Sequence, residues 1–270
     1  MNKIFILLVV TSSLVACKKA TTTTPTNTTN SITCVDNPNI NFTNIGTPIG
    51  KFADCIKDID ENTYKTVTIG TQTWMAENLK VSKFNDGTTI PNLEDRVKWF
   101  NLNTSAWCYY NNDSNFNKKY GKLYNGYIVN QSFNGNKNIC PTGWHVPSIQ
   151  EWSILKDFTR TGLKGRNESL FETDTLSWLS PNLNSTNLSL FTALPGGRRN
   201  HPAILNGNLE YDKSPDFDVI KQAGFWWSST NNEDKKNSRV YLLPNNNFYV
   251  GGSGDFMPLE MGYSIRCLKD

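Results

Sequence analysis

Two histidines, six cysteines and a few clustered carboxylates are the side chains here that could act on a substrate or hold a metal. None stands in a spacing that a known reaction requires. A zinc protease helix carries His-Glu-x-x-His, and neither His145 nor His201 begins such a pattern. A serine hydrolase presents Gly-x-Ser-x-Gly at a sharp turn, whereas Gly251-Gly-Ser-Gly254 lacks that spacing. No phosphate-binding loop of the required pattern occurs. Asp58-Ile-Asp-Glu-Asn62 sets carboxylates at alternate positions, as a calcium loop does. Thr63 stands where that loop needs glycine, however, and Ile69 where it needs the closing bidentate glutamate. Arg198-Arg199, after a glycine pair, could meet an anion and reads more simply as a solvated turn. His145, between Trp144 and Val146, reads as structural.

The cysteines divide by position. Lys3, an apolar run over residues 4–10 and small residues after it form a secretory signal peptide over residues 1–16, too short to span a membrane. Leu14-Val-Ala-Cys17 follows at once and resembles a bacterial lipobox, which implies cleavage before Cys17 and acylation of that residue. Each buried acyl methylene adds about 0.8 kcal/mol of membrane affinity, so several chains anchor firmly. Residues 18–31, centred on Thr21-Thr-Thr-Thr-Pro-Thr-Asn-Thr-Thr29, carry no large apolar side chain and read as a flexible tether.

Cys34, Cys55, Cys108, Cys140 and Cys267 remain, enough for at most two bridges in the oxidising setting that export implies. Cys34 and Cys55, close in sequence and outside the aromatic-rich region, are expected to staple residues 32–63. Cys140 and Cys267 are the other expected pair, closing a long loop and contributing a few kcal/mol through the unfolded chain. Cys108, within Ala106-Trp-Cys-Tyr-Tyr110, is then left as a buried, inert thiol. The absence of Cys-x-x-Cys weighs against zinc and redox chemistry.

Positioning elements can be read around these residues. The chain has 270 residues, 37% of them apolar, and eight tryptophans, enough for one sizeable core. Its formal charge is +3, or +2 without residues 1–16, whose only charged side chain is Lys3. That balance argues against nucleic acid or an acidic polymer as partner. Ser148 and Glu151 form a capping box that starts a helix at Ile149, with Ile149, Trp152, Leu155 and Phe158 expected on its buried face. Residues 56–69 read as a hairpin, and Tyr120, Leu123, Tyr124, Tyr127 and Ile128 fit a second helical face. Residues 159–189 read as a long loop, a class that is mostly functional or mobile. Short β runs at residues 191–199, 224–230, 239–243, 247–250 and 263–267 complete an α+β fold of antiparallel pairs.

A set of motifs in order carries a specific resemblance: Thr68-Ile-Gly-Thr-Gln-Thr-Trp-Met-Ala-Glu-Asn-Leu79, Trp107-Cys-Tyr-Tyr-Asn-Asn-Asp113, Tyr120-Gly-Lys-Leu-Tyr-Asn125, Cys140-Pro-Thr-Gly-Trp-His-Val-Pro147 with Glu151-Trp152, Leu194-Pro-Gly-Gly197, Phe225-Trp-Trp-Ser-Ser-Thr230 and Ser264-Ile-Arg-Cys267. They resemble the Fibrobacter succinogenes major paralogous domain, over about residues 64–269. The resemblance implies an exported protein, often a lipoprotein, with a C-type lectin-like fold. In such folds the chain ends pair as strands and a disulfide ties the last strand to a helix region, which suits Cys140 with Cys267. Gly126 departs from the family, which usually places tryptophan there, and is expected to thin the core locally.

Lectin-like scaffolds bind through the long loops of their second half, here residues 159–189 and 200–218. The candidate ligand-binding residues are therefore Trp178 and Tyr211 as stacking rings, Arg198, and the oxygen ligands Asp216 and Asp218. Calcium-dependent lectins carry Glu-Pro-Asn or Gln-Pro-Asp followed by Trp-Asn-Asp; this chain offers Ser214-Pro-Asp-Phe-Asp218 and Asn231-Asn-Glu-Asp234, a weak match for calcium. Val146-Pro-Ser-Ile-Gln-Glu-Trp152 and Gly262-Tyr-Ser-Ile-Arg-Cys267 are also similar to segments of formylglycine-generating enzymes. Those need a close pair of reactive cysteines, and none is visible if Cys267 is bridged.

The resulting expectation is an outer-membrane lipoprotein, since Lys18-Lys19 is no acidic retention signal. It has one lectin-like domain over residues 64–270, no catalytic site, no cofactor or metal, and a polysaccharide or surface protein as ligand. A structural component of a surface assembly, working through protein contacts at strand edges, is the alternative.

Overall fold

The computed structural model describes residues 47–162, 167–173, 177–179, 185–205, 208–232, 237–243, 247–251 and 256–270. Residues 1–31, with Cys17, and Cys34 lie outside that set; the described residues all belong to one compact unit, Ile32–Asp270.

Two sheets and one long helix, Ile149–Gly162, make the frame. The first sheet runs Gly50–Phe52, Thr66–Ile69, Gln72–Met75, Leu268–Lys269, Trp144–His145, every neighbour antiparallel. The second has nine strands; its main path is Asn247–Val250, Asn237–Leu243, Gly224–Asn231, Gly196–Arg199, Gly262–Tyr263, Leu123–Asn125, Trp107–Cys108. Phe217–Ile220 pairs with Gly196–Arg199, and Phe256–Met257 with Asn237–Leu243. Within this path one contact is parallel, Gly224 beside Gly197. The class is α+β, as expected.

The helix begins at the predicted cap. Ser148 N–H donates to Glu151 Oε2 at 2.7 Å, and Glu151 N–H returns to Ser148 Oγ at 3.3 Å. Trp152 and Leu155 are fully buried, and the Trp152 ring lies 4.7 Å from that of Trp74. Phe158 does not complete the stripe: it is 38% exposed, and Thr159 is buried instead. Each step of three residues falls about 60° short of a full turn, so three steps from Ile149 carry Phe158 to the opposite side. The expected Cys140–Cys267 bridge is present, with Cα atoms 5.9 Å apart, and joins the approach to this helix to the last strand.

The helix expected across residues 120–128 is absent. A short helix, Asn117–Tyr120, stops at Gly121, whose φ of 74° leaves the helical region. Leu123–Asn125 is a strand and Gly126–Ile128 a single 3₁₀ turn. The apolar residues in this stretch are buried on every side, so their spacing does not report a helical face. Gly126 does not thin the core. A Cβ there would meet Leu259 Cδ2 at 2.7 Å and Trp227 at 3.2 Å, so neighbours already fill the space.

Residues 56–69 fold as one hairpin and half of another. Ile56–Lys57 pairs with Thr63–Tyr64, while Thr66–Ile69 pairs with Gln72–Met75. Asp58 closes the first turn, accepting from the Asp60 and Asn62 amides, the Asn62 side chain and the Tyr64 hydroxyl. Its lone pairs are spent on the turn. Residues 159–189 are no open loop where described, for Leu170, Phe171, Trp178 and Leu188 are all buried.

Candidate functional site

The motifs that mark this chain converge inside the fold. Asn78, from Ala-Glu-Asn-Leu79, accepts at Oδ1 from the Trp226 indole N–H and from Arg266 Nη2, both at 2.9 Å. Its amide group donates to the Tyr120 carbonyl at 2.9 Å and to Ser264 Oγ at 3.3 Å. Arg266 is wholly buried, with its guanidinium 4.2 Å over the Phe191 ring and bonded to the Phe191 and Thr192 carbonyls. Burial drives its pKa down to about 9, against the pull of Glu77, which favours the charge. Segments far apart in sequence are thus fastened at one polar knot with no access to a ligand. The recognisable residues are scaffold.

The proposed ligand residues fare differently from one another. Trp178 is 1% exposed, packs 4.9 Å from Phe171 and donates its indole N–H to the Ala193 carbonyl, so it is no stacking platform. Arg198 is bidentate to Asp218, at 2.8 and 3.1 Å, and Arg199 is bidentate to Asp216, both bonds at 2.9 Å. The pairing follows from strand register, which sets Asp218 opposite Arg198. Burial opposes the charge on Arg198, and Asp218 more than offsets it, so its pKa rises. Arg199 is wholly buried between the rings of Trp99 and Phe217, 4.6 and 5.0 Å from their centroids. Two carboxylates each clamped by a guanidinium do not fit a calcium ion, whose ligands must be free to close around it. Among the described residues there is no group of three metal-ligating side chains.

Tyr211 is half-buried and, unlike Arg198, Asp216 and Asp218, is not held in a guanidinium–carboxylate pair; the fold gives it company. The helix Arg96–Asn101 is capped by Asp95 and pinned by buried Trp99, whose indole N–H reaches the Glu260 carbonyl at 2.6 Å. Pinning Trp99 inward brings Arg96 and Phe100 up beside Tyr211. Arg96 donates to the Tyr211 and Ser214 carbonyls and to Ser214 Oγ, and its guanidinium lies 5.9 Å over the Tyr211 ring. Phe100 meets Tyr211 edge-on at 6.0 Å and His201 edge-on at 4.6 Å. His201 Nδ1 lies 2.7 Å from the Pro202 carbonyl and must donate to it, which leaves Nε2 of the neutral ring as an acceptor. Val97, 48% exposed, adjoins on the same helix. The result is a semi-rigid aromatic surface with a hydrogen-bonding edge. Phe100 and His201 carried no sequence signal for this role, because only the long-range placement of the 96–101 helix assembles them.

His145 ties two elements: Nδ1 lies 2.6 Å from Asp270 Oδ1 and Nε2 2.9 Å from Glu151 Oε1. Burial opposes its charge, but the bonds to Asp270 and Glu151 outweigh it and raise the pKa. Its role is structural, as read. Cys108 is buried and free, its thiol pushed up to about 12 by burial, and Cys267 is bridged. The thiol pair that a formylglycine-generating mechanism needs is therefore not present among the described cysteines. Cys55 is disulfide-bonded.

The defining pattern of the Fibrobacter succinogenes major domain matches residues 67–269. With more than half of its length matched, the chain belongs to that family. Comparison with curated proteins and with solved structures returns no match.

Proposed function

We propose that this protein is an exported, lipid-anchored, non-catalytic binding module that takes a carbohydrate on the surface formed by Tyr211, Phe100 and His201. The observation that carries the reading is the Arg96 clamp: it holds the Tyr211 segment by three hydrogen bonds and sets its ring beside Phe100, which in turn meets His201. Sugars are bound by rings that offer an apolar face together with polar groups at the rim, and pre-organised rings lose little entropy on binding. The signal peptide, Cys17 and the threonine-rich tether support presentation on the outer membrane, and the placing of the last strand, Leu268–Lys269, in one sheet with the first strands, beside Gln72–Met75, supports a C-type lectin-like scaffold.

The test is binding of the mature chain to a panel of immobilised polysaccharides, with calcium and with chelator. Saturable binding that Tyr211→Ala or Phe100→Ala weakens at least about tenfold, unchanged by chelator, is expected for a surface whose carboxylates are already paired. Wild-type binding that both variants retain would move the site elsewhere.

A further inference from the structure

A cavity of about 300 Å³ lies apart from the Tyr211 surface and shares no residue with it. Its size suits one small ligand. It forms where the short helix Gln131–Asn134 and the residues after it meet Val146 and Ser229. Ser229 N–H donates to the Pro147 carbonyl at 2.9 Å, which fastens the strand Gly224–Asn231 to the segment that follows Trp144–His145. The helix stops at Gly135, whose φ of 67° turns the chain away, and Asn136 and Ile139 line the wall that follows.

The wall has two chemistries. Ile128, Val129, Ile139 and Val146 are buried and give an aliphatic patch. Gln131, Asn136 and Ser229 bring two amides and a hydroxyl. The two cations on the wall are already engaged: Lys137 pairs with Asp86 and donates to Thr88 Oγ1 at 2.9 Å, while His145 lies between Asp270 and Glu151. None of the lining residues is a carboxylate.

One atom on this wall is out of balance. Asn138 uses both ends of its amide, accepting from Cys140 N–H at 2.9 Å and donating to the Trp144 carbonyl at 2.6 Å. Asn134 does not. Its Nδ2 donates to the Ile128 and Lys137 carbonyls at 2.6 and 3.0 Å, which fixes the amide's orientation and leaves Oδ1 buried with no donor. The residue is only 7% exposed, and a buried acceptor left so costs about 1–3 kcal/mol.

We propose that this cavity takes the acetamido group of a neutral N-acetylated sugar. The N–H of that group is the donor Asn134 Oδ1 lacks, and its methyl group rests on the aliphatic patch. The ring hydroxyls then meet Gln131, Asn136 and Ser229. The turn Gly135–Asn136 beside Asn134 is exposed, and a Cβ on Gly135 would meet nothing within 4 Å, so it can give way as the ligand enters. A plain hexose has no apolar substituent for the patch. A hexosamine brings an ammonium with no lining carboxylate to receive it, and an acetylated lysine carries an apolar stem past a polar wall. One small group offsets little of the freedom lost on binding, so affinity is weak. This site does not depend on the Tyr211 reading.

The experiment uses the full chain with free N-acetylglucosamine, glucose, glucosamine and Nε-acetyllysine as probes, each followed by saturation-transfer NMR. N-acetylglucosamine is expected to bind with a Kd of about 1–10 mM, its acetyl methyl the most strongly saturated, and the other three about tenfold or more weakly. Ser229→Phe, which fills the cavity from the strand, should weaken that binding about tenfold or more and leave the circular dichroism melt unchanged. Gln131→Trp, at an exposed position, crowds the same wall and gives the same result should Ser229→Phe unfold. Tyr211→Ala should leave the binding unchanged. The proposal is overturned if N-acetylglucosamine shows no saturable binding up to about 100 mM, or if glucose, glucosamine or acetyllysine binds as well as it does. It is equally overturned if Tyr211→Ala abolishes binding that the cavity variants retain, which would place the sugar on the Tyr211 surface instead.

Discussion

Replacing Asn78 by leucine should cost more stability than removing the buried charge it serves. Asn78→Leu leaves the Trp226 indole N–H without its 2.9 Å acceptor and takes from Arg266 two of its bonds. An orphaned neutral donor costs about 1–3 kcal/mol, and a buried cation deprived of partners about 3 kcal/mol or more. The sum, about 4–6 kcal/mol, is a large fraction of the roughly 5–15 kcal/mol that holds a domain together. Arg266→Met removes the charge along with its desolvation cost and keeps a side chain that can pack on Phe191, so about 1–3 kcal/mol is expected. In the double variant the buried cation is gone, and only neutral groups, the indole N–H and the carbonyls that Asn78 and Arg266 served, are left wanting. Its cost should therefore fall below that of Asn78→Leu alone, a coupling of about 1.5 kcal/mol or more. Urea unfolding followed by tryptophan fluorescence and circular dichroism gives all three values. Additive effects, or an Asn78→Leu cost under about 1 kcal/mol, would refute the polar knot as the point where the motifs are joined.

Two further outcomes follow from the same geometry. Trp178→Ala should cost about 3–5 kcal/mol in unfolding free energy, whereas Tyr211→Ala should cost under about 1 kcal/mol; equal costs would return Trp178 to the surface. The pKa of His145 is raised in the folded protein, so its contribution is fully present below its unfolded value and is lost as pH rises through the folded one. Glu151 has a lowered pKa despite burial, held down chiefly by Ser148, so its contribution is present above the unfolded value and fades in acid. His145 is about one-third exposed, and after screening by solvent the pair contributes under about 1 kcal/mol. The melting temperature should therefore fall by about 1–2 °C between pH 5.5 and pH 8.5, and His145→Gln should abolish that difference.

What could be read from residue order was whatever has a local signal. Ser148 and Glu151 cap a helix from three residues apart, and the sheet-forming runs alternate visibly. Burial from both sides defeats such reading. Residues 120–128 have helical spacing only because nearly every side chain there is enclosed, and Trp178 is apolar enough for either a platform or a core. Asp216 and Asp218 were plausible metal ligands until the register with Arg199 and Arg198 was known, and register is a property of two strands. Tyr249 did carry a signal. In Asn247-Phe-Tyr-Val250 alternation puts Phe248 in and Tyr249 out.

The place of Leu268–Lys269 has a temporal consequence. It fills the middle of the first sheet, between Gln72–Met75 and Trp144–His145, although it follows every other strand in sequence. A nascent chain therefore cannot close that sheet as it grows, and the two halves on either side have only water to bond with until residues 268–269 arrive. Pairing over such separations is slow, because loop closure must precede any gain from the contact. Closure of the first sheet is accordingly late: a chain halted before Cys267 lacks both the strand that joins the two halves and the thiol that bridges to Cys140.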